Sequence, residues 1–339
     1  MLRPDAEPPG PRDALKPATR RLHRVGLIAL VLAAVVGLAV ALYVAVYLPL
    51  RWGRTVTRFD DVHTFATHGR ELLLVRGARD EPGELWQVDL DDGRERRLFA
   101  AAGHAHRLAF DSRWIVFHIT DSQMRGRLVV GDRERLAFWE IPLFGVADVA
   151  VGGGHIYVVS GGWLHVVADG RLVRLAESAD RVAVNDRYVV WVSRSQRRVQ
   201  RLPHPTGTAP EAPTTLLESE LAPRDVALDD DVAYVLLHHR RDDNDRSGRL
   251  VRVPLDGSAP TTMARDLNMP QELLITDRDV VFVNNRPIDR DGARSELLAV
   301  PRSGGSTRQL LDGSHWGPLG LDRDGILRFD QGCLIRRLP

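Results

Sequence analysis

The chain has almost no cysteine or lysine, and this excludes several kinds of chemistry. Among its 339 residues are a single cysteine, Cys333, and a single lysine, Lys16. One cysteine cannot form a disulfide within the chain and cannot build a cysteine-based zinc site. Because Lys16 lies near the N-terminus, the rest of the chain has no lysine for Schiff-base, Ser–Lys or phosphate-loop chemistry.

The sequence also lacks a charge excess and the common catalytic motifs. The 46 Lys and Arg residues are balanced by 45 Asp and Glu residues, so we predict no nucleic-acid partner. No G-x-S-x-G, H-E-x-x-H, G-x-x-x-x-G-K or G-x-G-x-x-G motif occurs. We therefore predict no cofactor and no catalytic residue. A hydrophobic fraction of 44% and a charged fraction of 27% are typical of a folded globular chain.

One long uncharged run predicts a membrane-spanning helix. Residues 25–50 contain no charged side chain over 26 positions. At the rise of an α-helix this run extends about 39 Å, which exceeds the ~30 Å hydrocarbon core of a bilayer. The apolar region of a cleaved signal peptide is shorter, so we interpret the run as an uncleaved anchor that contacts the lipid bilayer.

The segment before this run predicts the orientation of the anchor. Residues 1–24 hold six Lys or Arg, three Asp or Glu and five prolines, a composition typical of a disordered tail. Because basic flanks favour the cytoplasmic side, we predict a single-pass inner or plasma membrane protein with a cytoplasmic N-terminus. Its main domain, residues 55–339, would then be periplasmic or extracellular.

A weak repeat in that domain predicts its architecture. Apolar strands recur seven times at a spacing of roughly 33 to 47 residues. They lie at 71–77, 114–120, 155–161, 188–194, 232–238, 280–286 and 325–331. Flanking turns and strands make each copy a unit of four short strands, the period of a β-propeller. We predict an all-β, seven-bladed propeller, with six or eight blades if one weak copy is miscounted.

The last copy ends at its third strand, and the missing strand has a candidate elsewhere in the chain. Residues 55–59 follow the predicted span and have the alternation of a strand. We predict that they supply the outer strand of the last blade. This pairing would close the ring and remove two exposed sheet edges.

Two blade segments resemble a known propeller family. LWQVDLDDGRERRLF at 85–99 and LVRVPLDGSAPTTMA at 250–264 are similar to the L-Y-x-V-D-L-D-G-G blades of TolB-type propellers. A regular Gly-His…Trp-Asp pair of the WD type is absent. The resemblance implies a propeller architecture over most of 60–339, and such propellers commonly mediate protein contacts.

Two long charged loops are candidate binding elements. They join second to third strands at 238–248 and 284–295, which places both on one face of a propeller. Loops on a rigid scaffold often carry binding, and arginine is frequent at interfaces. Solvated loop decoration is the alternative reading. The candidate binding residues are Arg240, Arg241, Asp243, Asp245, Arg246, Arg286, Asp289, Arg290, Asp291 and Arg294.

Four histidines are candidate metal ligands. His104 and His106 would face the same way on an extended chain between the first two blades, and His63 and His315 lie near the start of innermost strands in neighbouring blades. Imidazoles in one cluster suit zinc, copper or nickel. Scattered surface histidines are the alternative reading.

We interpret the chain as a membrane-tethered, non-enzymatic module that binds a protein or ligand through its loop face. The alternative is a propeller lyase or hydrolase with a metal or His/Asp site at the mouth of the central channel.

Overall fold

A computed structural model of the protein describes most of the propeller and part of the N-terminal region. The described residues are 33–42, 54–58, 62–77, 83–101, 103–123, 125–205, 212–239, 247–285, 295–313, 319–322, 325–330 and 333–337. The chain divides into two compact units, Met1–Trp52 and Gly53–Pro339.

The first unit contains one described helical segment. Residues 33–42 are helical and have exposed side chains. Within the described part of the chain, no helix has both the length and the apolar character needed to cross a membrane. The remainder of the predicted span 25–50 and the tail 1–24 lie outside the described residues, so the anchor stays a prediction.

The second unit is all-β. Its described residues form 28 strands in seven four-stranded antiparallel sheets. The first sheet contains β2 (Val62–His68), β3 (Glu71–Arg76), β4 (Gly83–Asp89) and β5 (Glu95–Ala101). The second contains β6 (His104–Phe110), β7 (Trp114–Thr120), β8 (Gly126–Asp132) and β9 (Ala137–Pro142). The third contains β10 (Val146–Gly152), β11 (His155–Ser160), β12 (Trp163–Ala168) and β13 (Arg171–Glu177).

The next three sheets repeat the same order. The fourth contains β14 (Arg181–Val184), β15 (Tyr188–Ser193), β16 (Arg198–Pro203) and β17 (Thr214–Glu218). The fifth contains β18 (Ala222–Leu228), β19 (Val232–His238), β20 (Gly248–Pro254) and β21 (Thr261–Leu267). The sixth contains β22 (Gln271–Ile275), β23 (Asp279–Asn285), β24 (Ser295–Pro301) and β25 (Arg308–Gly313).

The seventh sheet joins the two ends of the unit. Its strands are β26 (Leu319–Asp322), β27 (Gly325–Asp330), β28 (Cys333–Arg337) and β1 (Arg54–Arg58). Strand β1 pairs antiparallel with β28, with Arg58 opposite Cys333. The prediction that residues after the apolar run supply the missing outer strand is therefore confirmed.

The first strands of the seven sheets form a closed ring. Strands β2, β6, β10, β14, β18, β22 and β26 contact one another in that order, and β26 contacts β2 again. Seven sheets around a ring are the blades of a β-propeller, so the predicted architecture is confirmed and the described sheets match the predicted count.

The core lies between adjacent blades. Second strands, each flanked by two strands of its own sheet, are apolar on both faces, as in the fully buried VAYVLLH of β19. One cluster joins Val190 and Val192 of the fourth blade to Ala233 and Val235 of the fifth. Each blade therefore covers its neighbour, and the rigidity of the ring comes from apolar burial between sheets.

Candidate functional site

The innermost strands run in one direction, which gives the propeller two distinct faces. Near the strand starts, the N–H of Val182 donates to Oδ2 of Asp148 (3.0 Å), and that of Leu273 donates to Oδ2 of Asp225 (2.9 Å). Near the ends, Nδ2 of Asn185 donates to the carbonyl of the turn after β18 (2.9 Å). We call the face where these strands begin the mouth face and the other the opposite face.

A ring of charged side chains lines the channel near the mouth face. It follows a four-residue pattern, RLAF at 107–110, DVAV at 148–151, RVAV at 181–184 and DVAL at 225–228, with ELLI at 272–275 as the fifth copy. The first residue of each copy borders a cavity of about 260 Å³. This channel ring consists of Arg107, Asp148, Arg181, Asp225 and Glu272.

The carboxylates of the channel ring are partly buried, and this raises their pKa values. Burial raises the pKa of Asp148 to about 6, and Arg181 opposes this shift. Burial also raises the pKa of Asp225 and of Glu272. Glu272 has a φ of +54°, in the left-handed region that costs a non-glycine residue about 1 kcal/mol or more. Burial and strain of this kind are frequent at functional sites.

A second cavity on the mouth face carries an excess of positive charge. It has a volume of about 700 Å³ and is lined by residues of the second, third and fourth blades. Arg107, Arg181 and Arg194 contribute three guanidinium groups, and Asp180 contributes the one carboxylate among the described lining residues. We call this space the cationic cavity. Beside it, in the connection before Gly145, Phe144 is 63% exposed.

His118 is the unusual residue in the wall of the cationic cavity. It is the fifth residue of the second strand of its blade, and the other described blades have an apolar residue there. The equivalents with described burial are Val75, Val159, Val192, Leu236 and Val283, each exposed by 1% or less. His118 is only 5% exposed. An imidazole therefore occupies a position where the fold elsewhere uses an aliphatic side chain.

The ring of His118 is not satisfied by the residues around it. Neither Nδ1 nor Nε2 makes a hydrogen bond of good geometry with a described residue, although the carbonyl of Leu143 is close enough to affect its titration. Burial and the nearby His106 lower the pKa of His118 to about 4. The side chain is therefore neutral at physiological pH, and both ring nitrogens are buried in the wall of the cavity.

The structure brings three of the four predicted metal ligands together. Ring centroids are 3.9 Å apart for His63 and His104, 4.9 Å for His104 and His106, and 5.8 Å for His106 and His118. His315 lies outside the described residues. Within the described ranges, no group of three or more His, Cys, Asp or Glu residues has an arrangement that holds a metal ion. We call the imidazoles of His63, His104, His106 and His118 the histidine row.

The predicted loop residues are not tested by this structure. All ten, from Arg240 to Arg294, lie outside the described residues, but the residues that flank both loops are described. His238 pairs with Ala222 at the start of β18, and Nδ2 of Asn285 donates to the carbonyl of Met269 just before β22. Both loops therefore leave the sheets at the mouth face, as their position between second and third strands predicts.

On the opposite face, two histidines are stacked, and one of them, His204, has a partner for each ring nitrogen. The rings of His155 and His204 are stacked, with centroids 5.2 Å apart and an interplanar angle of 11°. Nδ1 of His204 accepts a hydrogen bond from the buried hydroxyl of Tyr157 (2.7 Å), and its Nε2–H donates to the carbonyl of Asn185 (2.7 Å). His155 donates through Nδ1 to the carbonyl of Gly153 (2.7 Å). This pair links the third and fourth blades.

The channel ring and His118 are absent from the sequence-based site, although the sequence contains signals for both. The four-residue pattern recurs in five successive copies with a charged first residue. Aligning the second strands also sets His118 against valines and a leucine. Either alignment, carried through column by column, identifies these positions before the structure is known.

Comparison with known proteins supports the fold and goes no further. No protein-family model matches the chain, and no curated protein matches it. Among solved structures, the chain is similar to the WD40 β-propeller domain of Doa1, with a TM-score of 0.57 and 15% identity. That match covers 84% of this chain and 95% of the other. The chain shares the propeller fold.

A second solved structure gives the same result. The chain is similar to a chain of the mitotic checkpoint complex, with a TM-score of 0.58 and 10% identity. The match covers 84% of this chain and 93% of that one. At this level of identity, the two likenesses establish the fold and leave partner and activity open.

Proposed function

We propose that the protein is a membrane-tethered, non-enzymatic module that binds a protein partner through the mouth face of its propeller. The observation that carries the proposal is the concentration of distinctive features on that face. The channel ring, the cationic cavity, the histidine row and exposed Phe144 all lie there. Fixed side chains on a closed ring offer a partner a preorganised surface, which reduces the entropy lost on binding.

The chemistry of the mouth face supports a protein partner. Interfaces are enriched in aromatic and arginine side chains, and their strongest contacts fill pockets next to apolar anchors. Phe144 is 63% exposed beside the cationic cavity, which suits such an anchor. The two charged loops, 238–248 and 284–295, leave the sheets at the same face and would enlarge the contact area. One of the two structurally similar chains, from the mitotic checkpoint complex, belongs to a protein assembly.

The membrane tether is the second part of the proposal. Its support is the uncharged run 25–50, together with the basic tail before it. We propose that this run is inserted in the inner or plasma membrane and that the propeller lies on the periplasmic or extracellular side. A reporter fused to the C-terminus of the full chain, fluorescent only in the cytoplasm, should remain dark. Strong fluorescence at the membrane would contradict the orientation.

The partner-binding proposal is tested by matched variants of the full chain. Wild type, a mouth-face variant (Phe144→Ser with Arg194→Gln) and an outer-strand variant (Arg171→Gln) would be purified in detergent. Each would be cross-linked to detergent extracts of the native membrane. We expect one partner that is captured by wild type and Arg171→Gln and depleted with the mouth-face variant. Equal capture by all three proteins would contradict the proposal.

A further inference from the structure

The cationic cavity contains hydrogen-bond donors that the described protein does not use. Arg107 makes no hydrogen bond or close ion pair with a described residue, although its charge counters the rise in pKa that burial causes in the nearby Asp148, Asp225 and Glu272. Arg181 donates through Nη1 to the carbonyl of Ala147 (2.7 Å) and lies 3.8 Å from Oδ1 of Asp148. The buried Nε of Arg194 has no hydrogen-bond partner in the described part of the chain, and its contact with Asp180 is 3.9 Å long. Buried N–H donors normally find acceptors, so the Nε of Arg194 indicates a missing one.

The buried, unsatisfied ring of His118 is a second, independent indication of a ligand in this cavity. It is 95% buried, its ring nitrogens lack a hydrogen bond of good geometry, and it borders the same cavity. Leaving a buried polar group unsatisfied costs about 1–3 kcal/mol. The equivalent positions of five other blades avoid that cost with valine or leucine. A ligand that accepts the N–H of His118 would offset this cost.

We infer that the cationic cavity binds an oxyanion group, a carboxylate or a phosphate, through Arg107, Arg181 and Arg194 with an N–H of His118. The planar fork of arginine matches the two oxygens of such a group and binds it more strongly than a neutral acceptor. A neutral imidazole still has one N–H to donate. The volume of about 700 Å³ accommodates a small organic anion or the tip of a partner's side chain.

This inference deepens the proposed function, because an acidic side chain of a partner protein is one source of the oxyanion. Exposed Phe144 directly precedes Gly145 in the lining of the cavity, so such a side chain would be bound close to an apolar contact. A free small anion is the other source. Both present the same chemistry to the arginines, and the two are distinguished by measurement.

The test uses the full chain in detergent and isothermal titration calorimetry. The probes are inorganic phosphate, succinate, and an acidic peptide Phe-Glu-Glu with its Phe-Gln-Gln counterpart, both amidated at the C-terminus, all at constant ionic strength set by chloride. We expect saturable binding of at least one anionic probe and none of the glutamine peptide. Tighter binding of the acidic peptide identifies a protein side chain as the source, and tighter binding of phosphate or succinate identifies a free anion.

Two variants tie that binding to the cavity. Arg107→Gln removes one charge-assisted contact and should weaken binding by at least about tenfold. Arg171→Gln removes the same charge from an exposed position on β13 and should leave the affinity unchanged. If Arg107→Gln does not fold, Arg194→Gln, whose side chain is 38% exposed, replaces it. Absence of binding by every anionic probe would overturn the inference, as would equal affinity in the cavity variant and wild type.

The outcome is separable from that of the proposed function. Phosphate and succinate binding requires no partner, so it tests the cavity alone. Partner capture that persists while all anions fail to bind would reject the anion site and keep the binding face. Anion binding with no partner captured at the mouth face would keep the anion site and reject the partner-binding face.

Discussion

Buried histidines on the two faces of the propeller differ in their hydrogen bonding. On the opposite face, His204 accepts from Tyr157 and donates to Asn185, so the ring is a closed link between two blades. On the mouth face, His118 is more deeply buried and lacks hydrogen bonds of good geometry to described residues. Both rings are neutral at physiological pH, since burial lowers the pKa of each.

We interpret this difference as a structural role for His204 and propose a binding role for His118. A side chain whose polar atoms all have hydrogen-bond partners within the protein is explained by its contribution to the fold. A buried polar atom that lacks a partner has a cost that the fold does not repay. The comparison predicts that removing His204 damages stability, whereas removing His118 damages binding. Four variants test this comparison between the two faces.

The largest expected effect comes from the opposite face. His204→Ala leaves the buried hydroxyl of Tyr157 without its acceptor and opens space between two blades. We expect the free energy of unfolding to fall by about 3 kcal/mol, measured by urea unfolding with tryptophan fluorescence. His239→Ala removes an exposed ring and serves as the control. A loss in His204→Ala no larger than in the control would show that the linkage has no structural role.

The second effect is an acid dependence that belongs to His118. Its pKa is about 4 in the folded protein, below the usual 6.5, so the unfolded chain takes up the proton first. Full stability is therefore present above pH 6.5 and is lost as the pH falls towards 4. In His118→Val, which introduces the residue found at this position in four other blades, we expect this loss to shrink by on the order of 2 kcal/mol.

The same variant isolates packing from titration. At neutral pH the imidazole is uncharged in both states, so any difference between His118→Val and wild type there reports packing alone. We expect the free energy of unfolding at neutral pH to be equal or slightly higher in the variant, because an unsatisfied polar group is replaced by an apolar one. A large loss at neutral pH would mean that His118 is as structural as His204.

A third, smaller effect is the pH dependence of stability that comes from Asp148 of the channel ring. Its sign is opposite to that of His118. Burial raises the pKa of Asp148 to about 6, so its folded form holds a proton more tightly than the unfolded chain. Stability from this group is gained as the pH falls through 6 and is absent at higher pH. Asp148→Asn keeps an acceptor for the N–H of Val182 and should raise neutral-pH stability by about 1 kcal/mol.

Removing that charge should also affect the neighbouring cavity. With Asp148 neutral, Arg181 loses its nearest carboxylate and its charge is less screened from a bound anion. We expect phosphate or acidic peptide to bind more tightly to Asp148→Asn than to wild type in the same calorimetric titration. Weaker binding would indicate that Asp148 orients Arg181 for the ligand.

The smallest effect on stability is expected at the rim. Phe144→Ser replaces a 63% exposed ring, so the free energy of unfolding should change by less than about 0.5 kcal/mol. Partner capture should nevertheless decrease, since an exposed aromatic beside a pocket is a typical interface anchor. Undiminished capture would move the binding surface away from this part of the mouth face.

Much of the fold was predictable because blades repeat. The apolar second strands and the Asp- and Asn-rich turns mark the period, and residues 55–59 fit the one unpaired edge. Strands β8 and β16 and the outer strand β9 were not identified in the sequence. In β9, AFWEIP is partly exposed throughout, so it lacks the buried alternation that reveals a strand.

The site was less predictable, for a physical reason. The sequence drew attention to clusters of polar residues in loops and to histidines in pairs. The cationic cavity instead collects single residues from three blades, such as Arg107, Arg181 and Arg194, which only ring closure brings together. Register shifts near the starts of β6, β10 and β18 also decide which residue faces the channel. Strand periodicity alone does not indicate such shifts.

The pairing of β1 with β28 makes the seventh blade a clasp between distant parts of the chain. Strand β1 is synthesised before every other strand of the propeller, and β28 after all of them. During synthesis the first blade therefore has no seventh neighbour, and its flank stays uncovered until the clasp forms. The contact between the seventh and first blades, and with it the closed ring, is therefore complete only at that final step.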